Sequence, residues 1–196
     1  MFGRLNKDGQ AVVRPHRLTR SKCPLLVERP PLRLGYDQGM NTSALLVCAL
    51  TAYSVHEHQE GFVREIKISL NRDGFAVEDD GRGIGLHRER YVDNLMGTLV
   101  GGPGPVQLHG VGLSVVAASL SHLTVQSRRS GQLWTQTFGW GIAEGVPTHE
   151  PVPDTKTGSL MVARLAPGMP VVAASELEPQ LDVWRSRNPG LLIRVL

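Results

Sequence analysis

The segment from Glu65 to Ile84 constrains this chain more than any other. Glu65-Ile66-Lys67-Ile68-Ser69-Leu70 alternates strictly between polar and apolar residues, the period of a strand with one buried face. Asp73-Gly74 is a hairpin turn signal, and Phe75-Ala76-Val77-Glu78 resumes in extended form. The second strand then runs into Asp79-Asp80-Gly81-Arg82-Gly83-Ile84. Two glycines one residue apart permit a backbone turn, or a close approach by a bound group, that side chains would forbid. Acid-glycine pairs also close ordinary hairpins, so the turn by itself has a bland reading beside the functional one.

The flanking segments supply the other layer. From Thr42 to Glu60, Leu45, Leu46, Cys48, Ala49, Ala52 and Val55 recur at helical spacing, with Asn41, Thr42 or Ser43 as the cap and Gly61 as the stop. A short helix is expected over His87 to Leu95, then a glycine- and proline-rich loop from Val100 to Gln107, then an apolar helix over Gly112 to Leu120. Leu123–Arg128 and Leu133–Phe138 read as a hairpin closed by Ser130-Gly131, followed by a strand over Leu160–Leu165, a helix near Glu176–Arg185 and a strand over Leu191–Val195. Strand pairs mixed with helices, without a βαβ repeat, predict an α+β fold: a two-layer sandwich of a mixed, mostly antiparallel sheet with helices on one face.

Length and charge set outer limits. At 196 residues the chain accommodates one ordinary domain and a tail. Residues 1–28 read as a basic, flexible N-terminal arm, with Arg4, Lys7, Arg14, Arg17, Arg20 and Lys22 against Asp8; residues 29–196 read as the domain, opened by Arg29-Pro30-Pro31. Such an arm suits nucleic-acid phosphates or simple solvation. The apolar runs are short for a membrane span, aromatic content of 5% argues against a base-stacking platform, and Cys23 and Cys48 lack metal-type spacing. A soluble, cytoplasmic protein without membrane association is the expectation. His56-Glu57-His58 lacks the spacing for two zinc ligands on one helical face, so no metal site is assigned, and Trp134 and Trp140 are expected to cover the sheet.

A second motif joins the first. Leu108-His109-Gly110-Val111-Gly112-Leu113-Ser114-Val115-Val116 puts glycines at the start of an apolar helix directly after a loop. Backbone N–H groups and the positive end of a helix dipole there suit a phosphate, although a glycine-rich turn before a core helix is the plainer reading. Together, DDGRGI and LHGVGLSVVAASLS resemble the adenine-site and lid motifs of the GHKL (Bergerat-fold) ATPases, in the form found in gyrase B and the related topoisomerase IV ATPase domain. Arg129-Ser130-Gly131-Gln132, Thr157-Gly158-Ser159 and, loosely, Arg29 to Gly35 occur in the same order as their counterparts there.

The resemblance implies that Asp79 accepts the adenine amino group, that Gly83 and Ile84 line the base, and that Thr157 bridges to the aspartate through water. It implies that Leu108, His109, Gly110, Val111 and Gly112 wrap the phosphates of ATP or ADP, and that Glu57 pairs with Arg82 in the pocket floor. It also places Ala49 where the family carries its catalytic glutamate and Tyr53 where it carries a magnesium-binding asparagine. No catalytic residue is therefore assigned. Loss of a general base costs on the order of 10²–10⁴ in rate, and a phenol is a poor magnesium ligand, so a role for Mg is in doubt and hydrolysis is expected to be slow or absent. The expected protein is a stand-alone ATP/ADP-binding domain without strand passage of its own. The alternative is a nucleotide-free pseudo-ATPase acting as a scaffold, or a nucleic-acid-associated protein whose basic arm meets DNA or a topoisomerase-like partner.

Overall fold

The computed structural model describes residues 41–84 and 113–196, with the backbone alone for 113–115. The elements run α1 (Thr42–Gln59), β1 (Glu65–Asn71), β2 (Gly74–Asp79), α2 (Leu113–Ser119), β3 (Leu120–Arg129), β4 (Gln132–Gly139), β5 (Ile142–Pro151), β6 (Gly158–Leu165), α3 (Ala174–Arg187) and β7 (Leu192–Val195). Among the described residues the strands form one sheet in the order β5-β4-β3-β6-β2-β1-β7, antiparallel throughout except for the β1–β7 pair. This is the expected α+β architecture.

The alternation in β1 and β2 becomes the division between the layers. Ile66 and Ile68 of β1, Phe75 and Val77 of β2, and Met161 and Ala163 of β6 are buried, while Lys67, Ala76, Glu78, Val162 and Arg164 lie on the more open face. α1 packs on β1 and β2 and also meets α2 and α3. Its residues from Ser43 to Ala52 are therefore buried on every side, and the helix has no polar stripe in its first turns, as befits one enclosed by packed neighbours. Asn41 caps it: the side-chain oxygen accepts from Ala44 N at 2.8 Å, and the amide nitrogen donates to Glu176 of α3 at 2.6 Å. That carboxylate also accepts from Ala173 N at 2.9 Å, so one glutamate ties together the starts of α1 and α3.

The β3–β4 hairpin turns at Ser130 and Gly131, both with positive φ (52° and 68°), the primed geometry that matches strand twist. β5 is a strand that the sequence pattern does not signal. Ile142 to Pro151 pairs with β4 at the sheet edge and is exposed along nearly its whole length, so it has no buried face to impose alternation. Pro147 and Pro151 lack the N–H that an interior strand would need, and an edge tolerates them. Trp140 departs from its expected role: it occupies the β4–β5 turn and is 54% exposed, whereas Trp134 is half-buried on β4 and meets the His149 ring at 4.6 Å.

Candidate functional site

The same period that buries Phe75 and Val77 carries Asp79, two residues on, to the helix-facing side of β2. It is a carboxylate on a core row, 6% exposed. Such a group needs partners, and three donors supply them. Ser54 Oγ, from α1, donates to Oδ2 at 2.8 Å; Gly81 N and Ser159 N donate to Oδ1 at 3.0 and 3.2 Å. Burial raises the Asp79 pKa above its ordinary value near 3.8, and these three hydrogen bonds oppose that rise. An ionised carboxylate has about four lone-pair sites. Among the described residues, three donors leave part of that acceptor capacity open.

Sheet register brings the remaining pieces together. Asp79 lies opposite Ser159 in the β2–β6 pair, which sets Thr157 and Gly158 against the end of β2. Gly158 has φ +131°, and a Cβ there would run into the Asp79 carbonyl oxygen; the close approach of the two chain segments requires glycine. Asp79 and Thr157 also border a shallow depression with Glu65, Lys67, Glu78 and Asp80, but Lys67 and Glu78 belong to the open face of the sheet, opposite the face that the Asp79 carboxylate meets. Asp80 is structural: its Oδ1 accepts from Arg64 N and Glu65 N at 2.8 and 2.9 Å, holding the start of β1.

The Gly-Arg-Gly turn is pinned from both sides. Gly83 has φ +76°, and a Cβ on it would lie 2.5 Å from the Arg128 carbonyl oxygen. Ser127 Oγ donates to the Ile84 carbonyl at 2.7 Å and Arg129 donates to the Gly83 carbonyl at 3.3 Å, so β3 fixes the two residues expected to line a base. Arg82 grips Glu57 with two bonds, Nε to Oε2 at 2.8 Å and a terminal NH2 to Oε1 at 3.1 Å. This fork geometry is the strong form of the pair. The Arg82 guanidinium also lies 3.7 Å from the centre of the Phe62 ring, a contact that no spacing along the chain foretells.

Ala49 and Tyr53 lie one turn apart on α1. Ala49 is 2% exposed and part of the core. Tyr53 is half-buried against that core, within electrostatic reach of Asp79, Glu57, Arg82 and Arg129. Burial, helped by the carboxylates of Glu57 and Asp79, holds its phenol well above the usual range, and it stays neutral. Leu108, His109, Gly110, Val111 and Gly112, with the loop before them and the N-terminal arm, lie outside the described residues. The described donor set does not fit magnesium. Ala49 has no side-chain oxygen, Tyr53 has a neutral phenol, and the Asp79 and Glu57 carboxylates are already engaged by protein donors. Among the described residues no group of three or more His, Cys, Asp or Glu side chains could hold a metal ion, and no helix is long and apolar enough to cross a membrane.

A mostly antiparallel sheet under a buried helix, with an aspartate-glycine turn at the end of an inner strand, is the arrangement that the resemblance to GHKL ATPase domains implies. No family model matches the chain, but individual relatives do. It is 34% identical over 137 residues to the DNA gyrase B protein of Borrelia hermsii, an alignment that covers 63% of this chain and 21% of that protein. The 43K ATPase domain of Thermus thermophilus gyrase B, solved in complex with an aminocoumarin, superposes with a TM-score of 0.66 at 27% identity, covering 77% of this chain and 42% of that one. The topoisomerase IV ATP-binding domain of Francisella tularensis, solved with a small-molecule inhibitor, gives 0.67 at 22% identity over 89% of this chain and 86% of that one, a likeness of fold. By fold and by sequence the chain is similar to the ATPase domains of gyrase B and topoisomerase IV, and it spans only about a fifth of the length of that curated relative.

Proposed function

We infer that this chain is an adenine-nucleotide-binding domain that holds ATP or ADP at the Asp79 corner and hydrolyses ATP slowly or not at all. The observation that carries the reading is the state of Asp79: a buried carboxylate at the end of β2, fixed by Ser54, Gly81 and Ser159, with acceptor capacity beyond those three donors. A purine amino group is the complementary donor, and the rigid surround supplies orientation at little entropic cost. The relatives' names, a gyrase and an ATP-binding domain, support the same ligand. Slow or absent hydrolysis rests on Ala49 and Tyr53, neither of which can act as the base for an attacking water.

Titration calorimetry of the whole chain with ADP and with a nonhydrolysable ATP analogue tests the reading. Micromolar to millimolar binding that weakens in Asp79→Ala is expected, and unchanged affinity in that variant removes the site.

One observation favours a second reading. Tyr53 is half-buried against the core and within electrostatic reach of Asp79, Glu57, Arg82 and Arg129, and a phenol occupying the phosphate side would leave a nucleotide-free pseudo-ATPase that serves as a scaffold. The absence of any nucleotide binding by calorimetry, with a folded protein, selects this reading. Contacts of the basic arm with DNA or with a topoisomerase-like partner belong to either reading, and steep salt dependence of DNA retention is their signature.

A further inference from the structure

We propose that this site takes its nucleotide without a divalent cation, and that Tyr53 is the residue that excludes the cation. The inference rests on the nucleotide-binding reading above and goes beyond it by fixing the charge state of the ligand that is bound.

Magnesium demands near-ideal octahedral oxygen coordination at about 2.0–2.1 Å, usually from one or two carboxylates together with water and phosphate. Among the described residues, the oxygens near Tyr53 do not meet that demand. Asp79 is held by three donors, and turning it toward a metal would orphan the Ser54 hydroxyl and two backbone N–H groups. Glu57 commits both oxygens to Arg82. Ser54 is committed to Asp79, and Thr51 Oγ1 donates to the Val47 carbonyl at 2.8 Å. Ala49, the neighbour one turn earlier on the same helix face, offers a methyl group. Tyr53 contributes bulk and a weak neutral oxygen where a small amide or carboxylate would leave room for a hydrated ion.

Charge does not make up for the missing ligands. Around Tyr53 the Glu57 and Asp79 carboxylates are opposed by the Arg82 and Arg129 guanidinium groups, and Glu57 is paired directly with Arg82, which leaves no surplus of negative charge to draw a dication. Magnesium in solution would then compete for the ligand's phosphates rather than bridge them to the protein.

Calorimetry of the whole chain with ADP, run once in excess EDTA and once in excess MgCl₂, is the test. Binding that is no tighter in magnesium, within about a factor of two, is expected. Binding on the order of tenfold tighter in magnesium overturns the inference while leaving the nucleotide reading intact. Failure to bind under either condition overturns the nucleotide reading itself, and the inference with it. The doubly substituted Ala49→Glu, Tyr53→Asn protein, checked for folding by circular dichroism, should acquire magnesium-dependent affinity. A folded double variant whose affinity ignores magnesium would take the excluding role away from Tyr53.

Discussion

Asp79 was legible as a candidate because an acid-glycine turn comes directly after it, and because the period of β2 extends the row of Phe75 and Val77 onto it. Its partners were not legible. Ser54 lies 25 residues earlier and Ser159 lies 80 later, and only the packing of α1 and the pairing of β6 bring them together. Asp79→Ala should weaken ADP binding by about 1–3 kcal/mol, the cost of leaving a buried polar partner unpaired, as read by calorimetry. The acid response has its origin in the same burial. Because the folded pKa is raised, the native protein binds more protons than the unfolded chain between the ordinary value and the raised one, so this group's contribution to stability falls as pH rises through that window. The acceptor role needs the ionised form. ADP affinity should therefore drop on acidification at a pH above the ordinary carboxylate value near 3.8, and a flat affinity profile across the acid range would contradict it.

Among the elements, those with a buried face announced themselves and the one without a buried face did not. β1 and β2 alternate because one side of each meets α1, β6 shows as an apolar run with alternate residues buried, and α1 shows helical recurrence of apolar residues. β5 lies at an edge, where exposure removes the pattern that would reveal it. α1 also shows what spacing alone leaves out: it is apolar around most of its circumference from Ser43 to Ala52, a consequence of enclosure by the sheet and two helices. That enclosure bears on any attempt to restore a base. Ala49→Glu alone puts a larger, ionisable side chain into a packed position and should lower stability by about 1–3 kcal/mol from crowding, measured by urea denaturation. No loss of stability would mean that position 49 opens toward the ligand side more than its burial indicates. On the opposite flank, Gly158→Ala should unseat β6 from the Asp79 carbonyl and lower both the melting temperature and ADP affinity. Gly168→Ala, where no atom lies within 4 Å of the added carbon, supplies the control for positive-φ strain alone.

For the whole molecule, the fold and the order of its motifs were readable from the chain, whereas the charge balance at the site was not. The Glu57–Arg82 fork was anticipated through resemblance, but the Phe62 ring beneath Arg82 and the anchoring of Gly83 by Arg129 emerge only when distant segments meet. Phosphate release from ATP by the purified chain should fall well below that of a gyrase-type ATPase assayed in parallel. Robust turnover that persists through gel filtration and disappears in Asp79→Ala would show that Ala49 and Tyr53 do not limit the chemistry. The parallel β1–β7 pair has a consequence in time. Residues 65–68 are matched with residues 192–195, so β1 keeps an open hydrogen-bonding edge until a segment made more than a hundred residues later arrives. A ribosome supplies about 5–20 residues per second, which leaves a nascent chain several seconds with an apolar, unpaired ribbon on display. During that interval a chaperone or a sister chain is the competing partner, and the last strand acts as the latch that ends the exposure.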